Sequence, residues 1–299
     1  MPKQIPEFLQ KMLEKQYGQE LTQKILEGYS KQRPVTLRVN TIKSNIEKIK
    51  TELAKYEIKY KEINWNQEAL IIENVREEKI KELDIYQNGE IYLQSLSSMI
   101  PPVILNPEAN ENILDMAAAP GGKTTQMAAL SNNQAMITAC EKNKIRAERL
   151  KYNLEKQGAN RISVMLQDAR QLDEFFSFDK ILLDAPCSGS GTINLQSEKL
   201  EKTFTKELIE RSSKAQEKLL EKALKILKPG KEMVYSTCSI LLQENEDILK
   251  KVLAKSNAEI VPIEKEFNVP LLPVSLKGTI CICPTELYEG FFVAKIKKK

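Results

Sequence analysis

From residue 112 onward the chain alternates short apolar runs with helical stripes, a pattern that few folds accept. "NILDM" (112–116), "AMITACE" (135–141), "RISVML" (161–166), "FDKILLDAP" (178–186), "EMVYST" (232–237) and "GFFVAKI" (290–296) read as strands. Between them, residues 122–131, 143–157, 206–227 and 243–255 read as helices. Ile145, Leu150 and Leu154 mark one buried side, and Leu208, Leu219, Ala223 and Ile226 another. Strands and helices in this order predict a doubly wound, mostly parallel α/β sheet, whose ligands bind beyond the carboxyl ends of the strands. The unusual polar residues fall at those ends: Asp115, Glu141, Asp168, Asp184 and the Thr237-Cys238 pair.

The first hundred residues follow a different rule. Phe8, Leu9, Met12 and Leu13 form a helical stripe, and so do Leu21, Ile25 and Leu26, then Ile46, Ile49 and Leu53. "PVTLRVN" (34–40), "IKYKEI" (58–63) and "EALIIENV" (68–75) read as strands. This predicts a small α+β domain over residues 1–105, ending in "YLQSLSSMIPPVILNPEAN", where paired prolines and a polar turn precede the regular pattern of 106–299.

"PGGKTT" (120–125) follows the first of the regular strands and invites comparison with a phosphate-binding loop. Such a loop needs Gly-x-x-x-x-Gly-Lys-Ser/Thr so that backbone amides converge on the phosphates. Here the first glycine is replaced by Ala117, and Pro120 has no amide hydrogen to give. A nucleoside without phosphates suits the tight turn better, because backbone must approach it closely. Glu141, at the next strand end, can accept from both ribose hydroxyls, and Asp168, at the third, from an adenine amino group. Three acids at successive strand ends repel pyrophosphate and suit a cationic ligand, and S-adenosylmethionine fits that field.

The chain has no histidine, so any acid–base chemistry must come from other side chains. Of its five cysteines, Cys140, Cys187, Cys238, Cys281 and Cys283, no set is spaced as a disulfide framework or a structural zinc site. Cys281 and Cys283 read instead as alternate residues of a strand. The net charge of +4 does not by itself imply nucleic acid. The N-terminal "MPKQIPEFLQKMLEKQYG" lacks the apolar run of a signal peptide, and no stretch reaches the length of a membrane span. A soluble, cytoplasmic, monomeric, metal-free protein is expected.

"LLDAPCSGSGT" and "VYSTCSI" each set a cysteine just past a strand end in a loop of small residues. A thiolate there is a nucleophile. Together with a methyl donor it suggests one reaction: addition to carbon 6 of a pyrimidine makes carbon 5 nucleophilic enough to attack a sulfonium methyl. Which cysteine adds is open at this point.

The runs "LRVN" (37–40), "LQSLSSMIPP" (93–102), "LDMAAAPGGKTT" (114–125), "DAPCSGSG" (184–191), "YSTCS" (235–239) and "ENE" (244–246) occur in the order found in the NOP/Sun family of RNA cytosine-5 methyltransferases, which the chain resembles. Its length is similar to that of the compact archaeal-type enzymes that modify tRNA. The resemblance implies a Rossmann-like methyltransferase sheet over 106–299 and an RNA-binding domain over 1–105, with Arg38 and Asn40 facing the RNA or the domain junction. It implies a donor loop of Ala117, Ala118, Ala119, Pro120, Gly121, Gly122 and Lys123, with Glu141 on the ribose, Asp168 near adenine and Asp184 beside the target base. It makes Cys238 the nucleophile and Cys187 an aid to product release, with Lys123 and Asp184 positioning or polarising the cytosine. RNA is the implied partner, tRNA before rRNA; the alternative is a non-catalytic RNA-binding or assembly factor that keeps the fold. Lys31, Arg33, Arg38 and the lysine tail at 295–299 are the basic residues offered to RNA. Two departures stand near the end: Cys281 where the family often has arginine, and "ELYE" in place of a glycine-rich aspartate turn.

Overall fold

In the computed structural model, residues 5–195 and 204–299 are described; the first four residues of the N-terminal stretch discussed above lie outside them. The two N-terminal stripes merge into one helix, α1 (Glu7–Ser30), bent at Gly18, whose φ of 77° only glycine adopts without strain. Next come β1 (Val35–Val39), α2 (Ile46–Lys55), β2 (Tyr60–Ile63), β3 (Asn66–Ile72), α3 (Glu77–Glu82), α4 (Asp84–Gln87) and β4 (Ile91–Leu93). The strands make an antiparallel sheet in the order β2-β3-β1-β4. Ile49 and Leu53 of α2 fill its core with Leu37, Leu70 and Ile80. The apolar side of α1 does not join them: Leu9, Leu13, Tyr17 and Ile25 belong to the core of the larger sheet.

The paired prolines mark no turn. Pro101 and Pro102 lie inside a buried helix, α5 (Leu96–Leu105). A proline in a helix leaves the carbonyl four residues earlier without its amide partner. Here the carbonyl freed by Pro102 is that of Ser98, and Gln94 Nε2 donates to it at 3.2 Å. Ser95 caps the helix start, its hydroxyl accepting from the Ser98 amide. Tertiary burial and a side-chain donor thus override the local signal.

The larger sheet contains β5 (Asn112–Asp115), β6 (Met136–Cys140), β7 (Ile162–Met165), β8 (Phe178–Asp184) and β9 (Leu227–Thr237). Two short strands not foreseen in the sequence follow, β10 (Ala258–Val261) and β11 (Leu271–Leu272), then β12 (Ile280–Ile282), which holds Cys281 of the expected strand but ends before Cys283, and β13 (Phe291–Lys298). Its order is β11-β12-β13-β9-β8-β5-β6-β7, with β10 beside β13. From β7 to β9 the neighbours are parallel, while β13 runs antiparallel to β9. The connecting helices are α6 (Gly122–Leu130), α7 (Lys144–Gln157), α8 (Lys206–Ile226) and α9 (Glu246–Leu253). On α7 the buried stripe is Ala147, Leu150 and Leu154; Ile145 points to solvent, 72% exposed. Helical geometry explains this, since Ala147 lies three residues before Leu150 whereas Ile145 is out of phase.

The chain lays β5, β6 and β7 outward in one direction and then returns to place β8 on the other side of β5. The reversal opens a crevice between the carboxyl ends of β5 and β8, the usual ligand position in such sheets. Among the described residues, no helix is long and apolar enough to cross a membrane.

Candidate functional site

The turn from β5 into α6 is held from three directions. The Met116 amide donates to the Leu182 carbonyl on β8 at 3.0 Å, and the Ala118 amide to the Cys140 carbonyl on β6 at 2.9 Å. From α7, Arg146 donates to the Ala119 carbonyl at 2.7 Å and Asn153 to that of Pro120 at 2.8 Å. Gly121 sits at φ 108°, and a Cβ there would lie 2.9 Å from a Leu150 methyl. Conformation and close approach both require glycine. Residues Ala117 to Lys123 therefore form a rigid shelf over the crevice.

Lys123, in the first turn of α6, reaches back across the reversal point. Its ammonium donates to Asp184 Oδ2 and to Ser98 Oγ, each at 2.7 Å, and stands 5.3 Å from the centre of the Phe291 ring. Asp184 Oδ1 accepts from Ser236 Oγ at 2.8 Å. Below them Asp115 is buried and accepts from Thr124 Oγ1 at 2.7 Å. Burial raises its pKa to about 6, against the pull of Thr124. Tyr92, Ser98, Ala117, Gly122, Lys123 and Asp184 line a cavity of about 240 Å3 at this point.

On the far side of Ala117 a narrower cavity, about 80 Å3, lies over β6 and β7. Met116, Cys140 and Leu219 give it apolar walls, and Glu141 and Asp168 stand at its rim. Glu141 is buried, yet among the described residues its carboxylate meets only the Asn143 amide at 2.8 Å and Arg146 at 3.4 Å. Asp168 is more engaged than the sequence suggested. Both its oxygens accept from the Arg170 guanidinium, which holds its carboxyl below the ordinary range, so an adenine amino group would meet a carboxylate already paired.

Cys187 and Cys238 converge. Their strands are neighbours, with Asp184 paired to Ser236 in register, and the two sulfurs lie 3.0 Å apart, neither in a disulfide. The contact with Cys238, burial and nearby Glu244 all raise the Cys187 pKa, and either sulfur can donate across the 3.0 Å contact. Glu244, buried and also shifted upward by burial, joins the loops: it accepts from the Ser188 amide at 2.7 Å and from Ser239 Oγ at 2.6 Å, the residues that follow the two cysteines. In sequence "ENE" had no role assigned, and Ser98 and Ser236 carry no signal beyond lying in the runs "LQSLSSMIPP" and "YSTCS".

The other basic candidates lie elsewhere. Arg38 is 2% exposed and binds Gln94 and Thr125, and Asn40 bonds the Gly89 and Gln157 carbonyls; both serve the junction between the two sheets. Arg33 donates to the Tyr288 carbonyl. The lysine tail ends β13 beside the start of β9, at the end of the sheet opposite the crevice, where Lys295 pairs with Glu232 and Lys299 with Glu259. Cys281 is buried against Tyr17, and burial pushes its pKa up to about 12. In "ELYE" the Glu289 carbonyl accepts from Ser97 at 2.7 Å. Among the described residues, no group of three or more Cys, Asp or Glu side chains is arranged to hold a metal ion.

A family model described as 16S rRNA methyltransferase RsmB/F matches residues 102–297, and another, described as a Methyltr_RsmF/B-like, ferredoxin-like domain, matches residues 5–77. The chain is 35% identical over 272 residues to ribosomal RNA small subunit methyltransferase F of Shewanella sp. (strain ANA-3), covering 88% of this chain and 56% of that one. It is 36% identical over 283 residues to the tRNA (cytosine(49)-C(5))-methyltransferase of Pyrococcus abyssi (strain GE5 / Orsay), covering 90% and 89%. A solved methyltransferase homolog protein from Pyrococcus horikoshii superposes with a TM-score of 0.85 at 33% identity, over 98% of this chain and 95% of that one. The chain thus spans little more than half the length of the ribosomal relatives and nearly all of the tRNA relative. The fold is a Rossmann-like methyltransferase sheet with a small ferredoxin-like N-terminal unit.

Proposed function

The chain belongs to the RsmB/F (NOP/Sun) methyltransferase family, and from that membership we propose that it methylates carbon 5 of cytosine in RNA, tRNA before rRNA, through a covalent bond to Cys238. The observation that carries this reading is the approach of the Cys187 and Cys238 sulfurs to 3.0 Å, on the loops that follow Asp184 and Ser236. The preference for tRNA follows the likeness to the tRNA-modifying relative, which is 36% identical over 283 residues. Residues 1–105 serve as the RNA-binding unit and 106–299 as the catalytic one, in a cytoplasmic monomer.

The donor is S-adenosylmethionine, which brings an electrophilic methyl group when bound. The residues present fit it. Glu141 is a buried carboxylate with spare acceptor positions for ribose hydroxyls, apolar walls flank an adenine, and the shelf from Ala117 to Gly122 lets backbone approach the nucleoside. Asp168 would serve the adenine amino group only by giving up part of its pairing with Arg170.

Cys238 adds as thiolate to carbon 6 of a cytosine taken out of its stack. The electron pair moves toward carbon 5 and ring nitrogen 3, where the Lys123–Asp184 pair offers a proton and a compensating charge. Carbon 5 then takes the methyl group as the methyl–sulfur bond of the donor breaks with its electron pair going to sulfur, and ring nitrogen 3 returns its proton to the Lys123–Asp184 pair. A base removes the carbon 5 proton, the ring double bond re-forms, and the Cys238 sulfur leaves with its electron pair. Cys187, 3.0 Å away, assists this last step by hydrogen bonding the returning Cys238 sulfur. The test is transfer of labelled methyl to unfractionated tRNA and, separately, to rRNA. Label recovered as 5-methylcytosine in tRNA supports the proposal. RNA that binds but never takes label favours the assembly-factor alternative.

A further inference from the structure

A groove of about 710 Å3 runs beside the cysteine pair, with Pro186 and Cys187 in its floor and α8 as one wall. Arg211, Lys214 and Lys218 line that wall. Their spacing of three and then four residues sets them on one face of the helix, and all three are exposed. Lys142 and Arg170 stand opposite, at the ends of β6 and β7.

Pairing distinguishes this face from the rest of the helix. Lys222 and Lys225 of α8 are bound to Glu174, and Glu217 is bound to Lys251. Among the described residues, no carboxylate lies within ion-pair distance of Lys142, Arg211, Lys214 or Lys218, even though Glu207 and Glu210 line the same groove. Of the basic residues elsewhere that looked available to RNA, Arg38 is buried at the junction and Lys295 and Lys299 are paired at the far end of the sheet, while Lys31 and Lys297 are exposed. Unpaired positive charge therefore lines a groove whose floor includes Cys187.

We propose that this groove holds the sugar–phosphate backbone of the RNA strand next to the reacting cytosine, with Arg211, Lys214 and Lys218 each facing a phosphate. The idea rests on the function proposed above and adds the path of the strand. Residues 211 to 218 span about 10 Å of helix at 1.5 Å per residue, room for about three phosphates at the roughly 3.4 Å rise of a stacked strand. Contacts of this kind fix register and orientation without reading sequence, so the groove would hold the cytosine over Cys187 and Cys238 whatever its neighbours.

The test compares the full chain with Arg211→Gln/Lys214→Gln/Lys218→Gln, and with Lys297→Glu/Lys299→Glu as a control at the opposite end of the sheet. Binding to an unmodified tRNA transcript is measured from about 50 to 200 mM salt. Each single-strand phosphate contact adds about 0.7 to the slope of log affinity against log salt. The triple variant should lose about 2 from that slope and bind at least about tenfold more weakly at low salt, with unchanged circular dichroism, while the control keeps the wild-type slope. An unchanged slope in the triple variant, with the wild type still methylating RNA, overturns the groove and leaves the function standing. A wild type that neither binds nor methylates RNA overturns the function itself. A triple variant that loses binding to phosphatidylserine vesicles but keeps RNA would assign the groove to a membrane surface instead.

Discussion

Asp115 gives a prediction whose size follows from its surroundings. The carboxyl is 1% exposed at the end of β5, accepts from Thr124, and lies close enough to Asp184 to feel its charge. Burial dominates and raises its pKa from 3.8 to about 6. Below pH 3.8 the group is neutral in both folded and unfolded chains. As pH rises toward 6 the unfolded chain gives up its proton first, so stability falls through that window and levels off above it. At about 1.4 kcal/mol for each pH unit the cost reaches about 3 kcal/mol above pH 6. Asp115→Asn removes the titration and keeps an acceptor for Thr124. Urea unfolding at pH 8 should find the variant more stable by about 3 kcal/mol, the gap shrinking to about 1 kcal/mol near pH 4.5. A gap independent of pH, or a variant less stable at pH 8, would refute the claim that burial governs this carboxyl. The result bears on function because that penalty would be the standing cost of a negative field suited to a sulfonium donor.

Further outcomes follow from the cysteine loops. Glu244→Ala leaves the Ser188 amide and Ser239 hydroxyl without their shared acceptor and should cost about 3 kcal/mol in denaturant unfolding, whereas Glu244→Gln, which can still accept from Ser188, should cost about 1 kcal/mol. Gly191→Ala sets a Cβ 2.0 Å from the Gly290 carbonyl oxygen, a backbone atom that cannot swing aside. A loss of at least about 2 kcal/mol in unfolding free energy is expected, together with methyl transfer reduced because the loop bearing Cys187 must shift. Burial pushes the pKa of Cys140 and Cys281 up to about 12 and that of Cys283 to about 11. A Cys187→Ala/Cys238→Ala protein should therefore react with a disulfide reagent such as dithiobis(nitrobenzoate) only after unfolding, as absorbance at neutral pH would show.

The parallel core of the larger sheet was legible in the sequence because its strands are buried on both faces and read as continuous apolar runs, as in "KILLD" and "MVYST". The strands β10 and β11 were not, being four and two residues long and defined by pairing with β13 and β12 rather than by their own pattern. Proline misled at Pro101 and Pro102, where burial and Gln94 compensate a helix that local preference disfavours. At the site, Lys123, Asp184 and the two cysteines could be named from their strand ends, since strand ends are brought together by the sheet itself. Ser98, Ser236 and Glu244 reach the site only through tertiary folding and carry no local signature. The basic groove was hidden for a related reason: lysine is spread along the whole chain, and only the structure separates charges that are paired from charges that are free.

The central claim, that Cys238 forms a covalent bond to cytosine and Cys187 helps to break it, is tested most directly by trapping the adduct. Cys187→Ala protein is incubated with tRNA and S-adenosylmethionine and run on a denaturing gel beside Cys238→Ala and the double variant. The account expects a protein–RNA band in Cys187→Ala alone, resistant to denaturant and absent when Cys238 is also removed. A band that persists without Cys238, or one that forms in Cys238→Ala instead, would contradict it.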